Sequence, residues 1–295
     1  MPQYHTQKIR TASLIALPFA LMALTPAAHA LSMTAENSWS FDGGATTFLD
    51  SDGPASSGTV DVLASQASAT GSVFYHTYGN DTGNFGSRSS GAGLFDIGGE
   101  YSFEESYAAS TTSFGFHVVP GELAFSNSSS FTGTEYLTAS YFLDIMLNGT
   151  SIWSSGATLE QTGSSVSLIN QVGTSLGSYT AGSYQYTMND FIGTLALNSF
   201  GAFNTSGFNT INYVLTTAAS SNISDCSIST GGVDADGNHN PDVAGNGSSG
   251  GSVVCAGAIA RIGDPFGVNS VPEPGTIALL GLGIAGLAFC RRRKT

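Results

Sequence analysis

Between residues 31 and 270 the chain has no lysine and only two arginines, Arg88 and Arg261, against twenty acidic side chains, a formal balance of −18. So little positive charge makes nucleic acid and anionic lipid surfaces poor partners, because both are held chiefly through Lys and Arg. Charged residues of every kind make up 10% of the sequence, too few for long amphipathic helices faced with Glu and Lys. Cysteine is scarce as well: three in 295 residues, of which Cys226 and Cys255 are the two between the ends. Neither stands in a local pattern with His117 or His239 that would mark a nucleophile. The glycine-rich stretch 91–99 lacks the Gly-Lys-Ser/Thr ending of a phosphate loop. No heptad and no long fixed-period repeat occurs, which removes coiled coils and solenoids.

What remains is a composition for sheets and turns, with 38 glycines and 41% hydrophobic residues. Period-two alternation runs through Thr59-Val60-Asp61-Val62-Leu63, Val73-Phe74-Tyr75-His76-Thr77-Tyr78 and Ser113-Phe114-Gly115-Phe116-His117-Val118-Val119. β-Branched and aromatic residues between Gly, Ser and Asn clusters are the mark of strands. Residues 141–147 and 150–154 flank Asn148-Gly149, whose ready access to positive φ predicts a type I′ hairpin. A second pair is expected of residues 183–187 and 191–197 through Met188-Asn189-Asp190, followed by a strand at 211–217. The pattern predicts an all-β fold, an antiparallel β-sandwich or jelly roll, over residues 31–270.

The two ends read differently. Residues 1–30 hold a basic start with Lys8 and Arg10, an apolar run over 12–24 interrupted by Pro18, and Ala28-His29-Ala30. Small residues at Ala28 and Ala30 satisfy the A-x-A rule for signal cleavage, so a cleaved signal peptide is expected and Leu31 becomes the mature N-terminus. The far end runs Val271-Pro272-Glu273-Pro274-Gly275, then almost wholly apolar over 276–290, then Arg291, Arg292, Arg293 and Lys294. Pro272 and Pro274 forbid helix before the apolar run, and the basic cluster holds the chain end on the cytoplasmic side. Fifteen residues with several glycines make a short transmembrane helix, suited to a transient stop.

This ordered triplet over 271–295 resembles the PEP-CTERM sorting signal of Gram-negative, exopolysaccharide-producing bacteria. The resemblance implies an exosortase as processing partner, with Pro272, Glu273, Pro274, Arg291, Arg292 and Arg293 as the residues it reads. It also implies transient inner-membrane insertion and a destination that is secreted or at the cell surface.

Within the exported domain, Asp234, Asp236, Asn238, Asn240 and Asp242 put oxygen ligands at every second position, a pattern that suits calcium. The glycine at 237 is misplaced for an EF-hand loop and no bidentate Glu completes it, so an acidic surface turn is the simpler account. In an oxidising compartment Cys226 and Cys255 are expected to pair as a structural disulfide around that loop. Glu100, Glu104, Glu105 and Glu122 invite a glycosidase reading, but Glu104 and Glu105 point to opposite faces of a strand. His76 and His117 sit inside strand patterns, where a hydrogen-bonded imidazole is the simpler account. Trp39 and Trp153 would suit sugar stacking on an exposed face and core packing otherwise. The first functional expectation is a non-enzymatic surface or extracellular-matrix protein, associated with extracellular polysaccharide. The alternative is a secreted carbohydrate-binding module, and a secreted hydrolase ranks behind both for want of a nucleophile or metal cluster.

Overall fold

The computed structural model describes residues 31–81, 83–126, 131, 133–224 and 256–262. Among them the regular elements are strands, apart from one 3₁₀ turn at Leu197–Ser199. The expected all-β, antiparallel character is therefore present.

In chain order the strands are β1 (Leu31–Ser40), β2 (Phe48–Ala55), β3 (Thr59–Ala67), β4 (Gly71–Asn80), β5 (Phe85–Ala108), β6 (Ser113–Val118), β7 (Gly121–Ser126) and β8 (Tyr136–Leu147). They continue as β9 (Thr150–Thr162), β10 (Ser165–Gly173), β11 (Gly177–Ser178), β12 (Gln185–Met188), β13 (Phe191–Ala196), β14 (Phe208–Asn222) and β15 (Gly257–Ile262). Thirteen of them form one sheet that curls over on the 24-residue strand β5. The first part of β5 pairs with β4 and β15, and the last part with β1 and β14. One arm accordingly runs β2-β1-β5-β14-β8-β9-β10 and the other β3-β4-β5-β15-β7-β12-β11. A separate ribbon pairs β6 with β13.

The corner falls in the glycine-rich stretch. Gly93 has φ +81°, and a Cβ there would lie 2.3 Å from the Thr70 carbonyl oxygen; at Gly91 it would lie 2.6 Å from the Phe95 ring. Only glycine lets the strand bend this tightly while its own halves approach each other.

The arms close on an aromatic core. Phe85 from one arm stacks on Tyr101 of the other at 5.0 Å and meets Tyr213 at 4.7 Å, and Trp39 stacks on Tyr75 at 5.0 Å. Tyr101, Tyr213, Phe95, Leu143, Leu123 and Tyr186 are fully buried. A polar seam crosses this interior. The Thr77 hydroxyl donates to Asn37 Oδ1 at 2.9 Å and shares a 3.1 Å bond with Ser87. The Thr217 hydroxyl is bonded to Ser87 at 2.7 Å and Ser89 at 2.9 Å. Buried hydroxyls hold their place only when so bonded, and these tie the two arms of the sheet together.

The Asn148-Gly149 hairpin forms between β8 and β9, with φ of 50° and 77° at the two turn residues. The second expected hairpin does not. β12 pairs with β7 and β11, whereas β13 pairs with β6, Phe191 facing Val118. Tyr186 and Met188 are buried in the main sheet's core while Phe191 packs on Phe116 and Trp153, so the intervening residues carry the chain from one sheet to another. Asn189 is turned away by its backbone bond to Leu176.

Candidate functional site

Strand alternation sends Phe74, His76 and Tyr78 of β4 to the side opposite the buried Val73, Tyr75 and Thr77. All three are half-buried on the outer face of their arm. Pairing then carries one transverse row across that face: His76 lies opposite Arg88, Arg88 opposite Arg261, and Arg261 opposite Glu122. The only two arginines between residues 31 and 270 are therefore immediate neighbours, although 173 positions separate them in the chain.

Glu122 braces the row. Its Oε1 accepts from Arg261 Nη2 at 2.8 Å and its Oε2 accepts from the Gln185 side-chain amide at 2.7 Å. The Arg88 guanidinium lies 4.7 Å above the Phe74 ring, a cation–π distance. Burial, and then the Arg261 charge alongside, bring Arg88 down to about 10, with Glu122 opposing the shift. Arg88 thus remains a cation at neutral pH. At the far side of β4, His76 Nε2 meets Asp61 Oδ1 at 3.2 Å and its ring tilts over Tyr78 at 4.7 Å. Burial lowers the His76 pKa, Asp61 resists that, and Arg88 adds to it, which favours a neutral imidazole. Tyr78 lies across Gly86 of β5, where a Cβ would come within 2.9 Å of three tyrosine atoms.

The carboxylates weighed for glycosidase chemistry do not meet. Glu100 faces Glu36 on the outer surface of the other arm, and Glu104 reaches Asn212 there at 3.5 Å. Glu105 accepts from the Tyr107 hydroxyl, and Glu122 is held by Arg261 in a different layer. His117 is paired with Asp190 on the β6–β13 ribbon. Beside it a cavity of about 20 Å³ is lined by Phe85, Phe114, Phe116, Leu143, Ile145 and Tyr213. Such a space is far below the roughly 300–1,000 Å³ of small-molecule sites. Trp39 stacks between Phe48 and Tyr75, and Trp153 sits among Phe116 and Phe191, so both tryptophans pack against the core.

Ala28 and Ala30 lie outside the described residues. So do Cys226, Cys255, the calcium candidates Asp234, Asp236, Asn238, Asn240 and Asp242, and Pro272, Glu273, Pro274, Arg291, Arg292 and Arg293.

β15, the last described strand, ends at Ile262 in the middle of its arm, between β5 and β7. Shortly beyond it, residues 270–294 match the family model for the PEP-CTERM protein-sorting motif. The chain carries an exosortase sorting signal. It is thus a protein with a PEP-CTERM sorting motif, which implies export and exosortase processing in a Gram-negative bacterium. No curated protein matches the chain.

The alternation that exposes Phe74, His76 and Tyr78 is visible in the sequence of β4. The arginine pair is not, because only the register of β15 on β5 brings Arg261 beside Arg88.

Proposed function

We propose that this PEP-CTERM sorting-motif protein is a non-enzymatic component of the cell surface or the extracellular matrix, associated with extracellular polysaccharide. The observation that carries the reading is the sorting motif at 270–294, placed just after a strand that is internal to a sheet. The seven intervening residues, 263–269, span at most about 25 Å. A domain so closely tethered is delivered at the membrane surface while the apolar tail is inserted, and is freed for the matrix when the exosortase removes the tail. Leu31, which signal cleavage after Ala30 would expose, is the first residue of β1 and pairs with Glu105, so a chain processed at both ends keeps its sheet. The acidic, lysine-free domain suits a hydrated extracellular polymer.

The second reading, a carbohydrate-binding module, is favoured by the gathering of aromatic and charged side chains on the outer face of β4, β5, β15 and β7. Cell fractionation with intact-mass analysis tests the first reading. Wild-type cells should yield a surface or released form beginning at Leu31 and lacking the 291–294 cluster. Cells without the exosortase should retain the protein in the membrane. Recovery of a surface form that still carries 291–294, or unchanged localisation without the exosortase, would overturn it.

A further inference from the structure

We propose that the Arg88–Arg261 row is a binding site for an acidic polysaccharide, taking the carboxylate of a uronate-type sugar. The inference deepens the matrix reading and rests on it for the kind of polymer the domain meets.

Three observations on the same face carry it. First, an exported domain with twenty acidic and two basic side chains places both basic ones together. Folding gains nothing electrostatically from setting two guanidiniums side by side, since like charges on directly paired strands repel. Glu122 is held by Arg261, so the trio of Arg88, Arg261 and Glu122 keeps a net positive charge, while Asp61 meets His76 at the far side of β4. Second, the groups are guanidiniums, whose planar forks match a carboxylate through two parallel N–H donors. Glu122, itself braced by the Gln185 amide, holds Arg261 from one side, and Phe74 supports Arg88 from beneath, so both guanidiniums are positioned before a ligand arrives. Third, the adjoining strand offers the half-buried Phe74, His76 and Tyr78 in line, with Tyr78 laid across Gly86. Aromatic surface beside an anion clamp fits a ring with apolar C–H faces and an acid group, which describes a uronate more closely than a bare inorganic anion.

Charge complementarity also separates the polymer from a membrane. A bilayer of anionic lipid would press a whole face of an acidic domain against like charge. A single glycan chain can follow the row and touch little else.

The test is binding of sodium polygalacturonate by the purified exported protein, measured by affinity electrophoresis or calorimetry, with neutral dextran and phosphatidylglycerol vesicles as comparison. Wild type should bind polygalacturonate in preference to dextran, and more weakly as salt rises. Arg261→Gln should lower the affinity about tenfold or more, the scale of one charge-assisted contact. Glu122→Gln keeps an acceptor for Arg261, removes the competing carboxylate, and should raise the affinity several-fold. A variant that merely misfolds would lose binding, so opposite movement of the two is the signature of the site. Equal affinity for dextran, an Arg261→Gln affinity like wild type, or an Arg261-dependent attachment to vesicles without polygalacturonate binding would each overturn the proposal. The purified-protein measurement does not depend on where the cell delivers the domain, so failure here and failure of the sorting reading are distinguishable.

Discussion

Gly98 and Gly99 are neighbours on β5 and face opposite sides of the sheet, which makes them a matched pair for testing the buried seam. A Cβ on Gly99 would lie 2.6 Å from Thr77 Oγ1 and 2.7 Å from both Asn37 Oδ1 and Ser87 Oγ, far inside the ordinary contact range of 3.4–4 Å. The same atom on Gly98 would meet nothing nearer than Ser38 Oγ at 3.6 Å. Overpacking a filled interior costs about 1–3 kcal/mol, and displacing one member of a buried hydrogen-bonded set costs a comparable amount again. Against this, losing a glycine from the unfolded chain stabilises by about 0.4–1 kcal/mol. Gly99→Ala should therefore lose about 1–5 kcal/mol on balance, and Gly98→Ala should match or slightly exceed wild type. In a domain of this size each kcal/mol moves Tm by roughly 2–4 °C, so Gly99→Ala should melt about 2–20 °C early. Thermal and urea denaturation of the three proteins decide it. A Gly99→Ala protein as stable as Gly98→Ala would refute the claim that Asn37, Thr77 and Ser87 close on this position.

Two further outcomes are expected. Desolvation at the sheet surface, and then the Glu36 carboxylate opposite, raise the pKa of Glu100, so its ionised form is disfavoured in the folded state. That penalty is absent below the ordinary carboxylate range and appears as pH rises through the raised pKa. Glu100→Gln should thus be stabilising at pH 7, toward the low end of about 0.2–1 kcal/mol because the site is exposed, and the gain should vanish near pH 3; a gain that persists there would contradict the assignment. Cys226 and Cys255 should resist alkylation in denaturant until reductant is added, with a loss of roughly 3–4 kcal/mol on reduction in the chain-entropy model. Two freely alkylated thiols would end the disulfide expectation.

Features that depend on short-range pattern were legible in the chain alone. Alternation placed β3, β4, β6 and β14, and Asn148-Gly149 specified its own turn because positive φ is a property of those two residues. The order of Pro272-Glu273-Pro274, an apolar run and a basic cluster was equally legible, since each part acts through local chemistry, and it is borne out by the match at 270–294. Partner choice was not legible at that range. Residues 183–187 and 191–197 read as a hairpin by proximity, yet burial of Tyr186 in one sheet and of Phe191 against Trp153 sent them to different partners. The stretch 91–99 read as a glycine-rich segment without a nucleotide site, while its role as the corner of β5 follows from collisions that exist only once Thr70 and Phe95 are in place. The same holds for the Arg88–Arg261 row. Alternation settles which face each arginine takes, but their meeting is set by the pairing of β15 with β5, and that register belongs to the closed sheet.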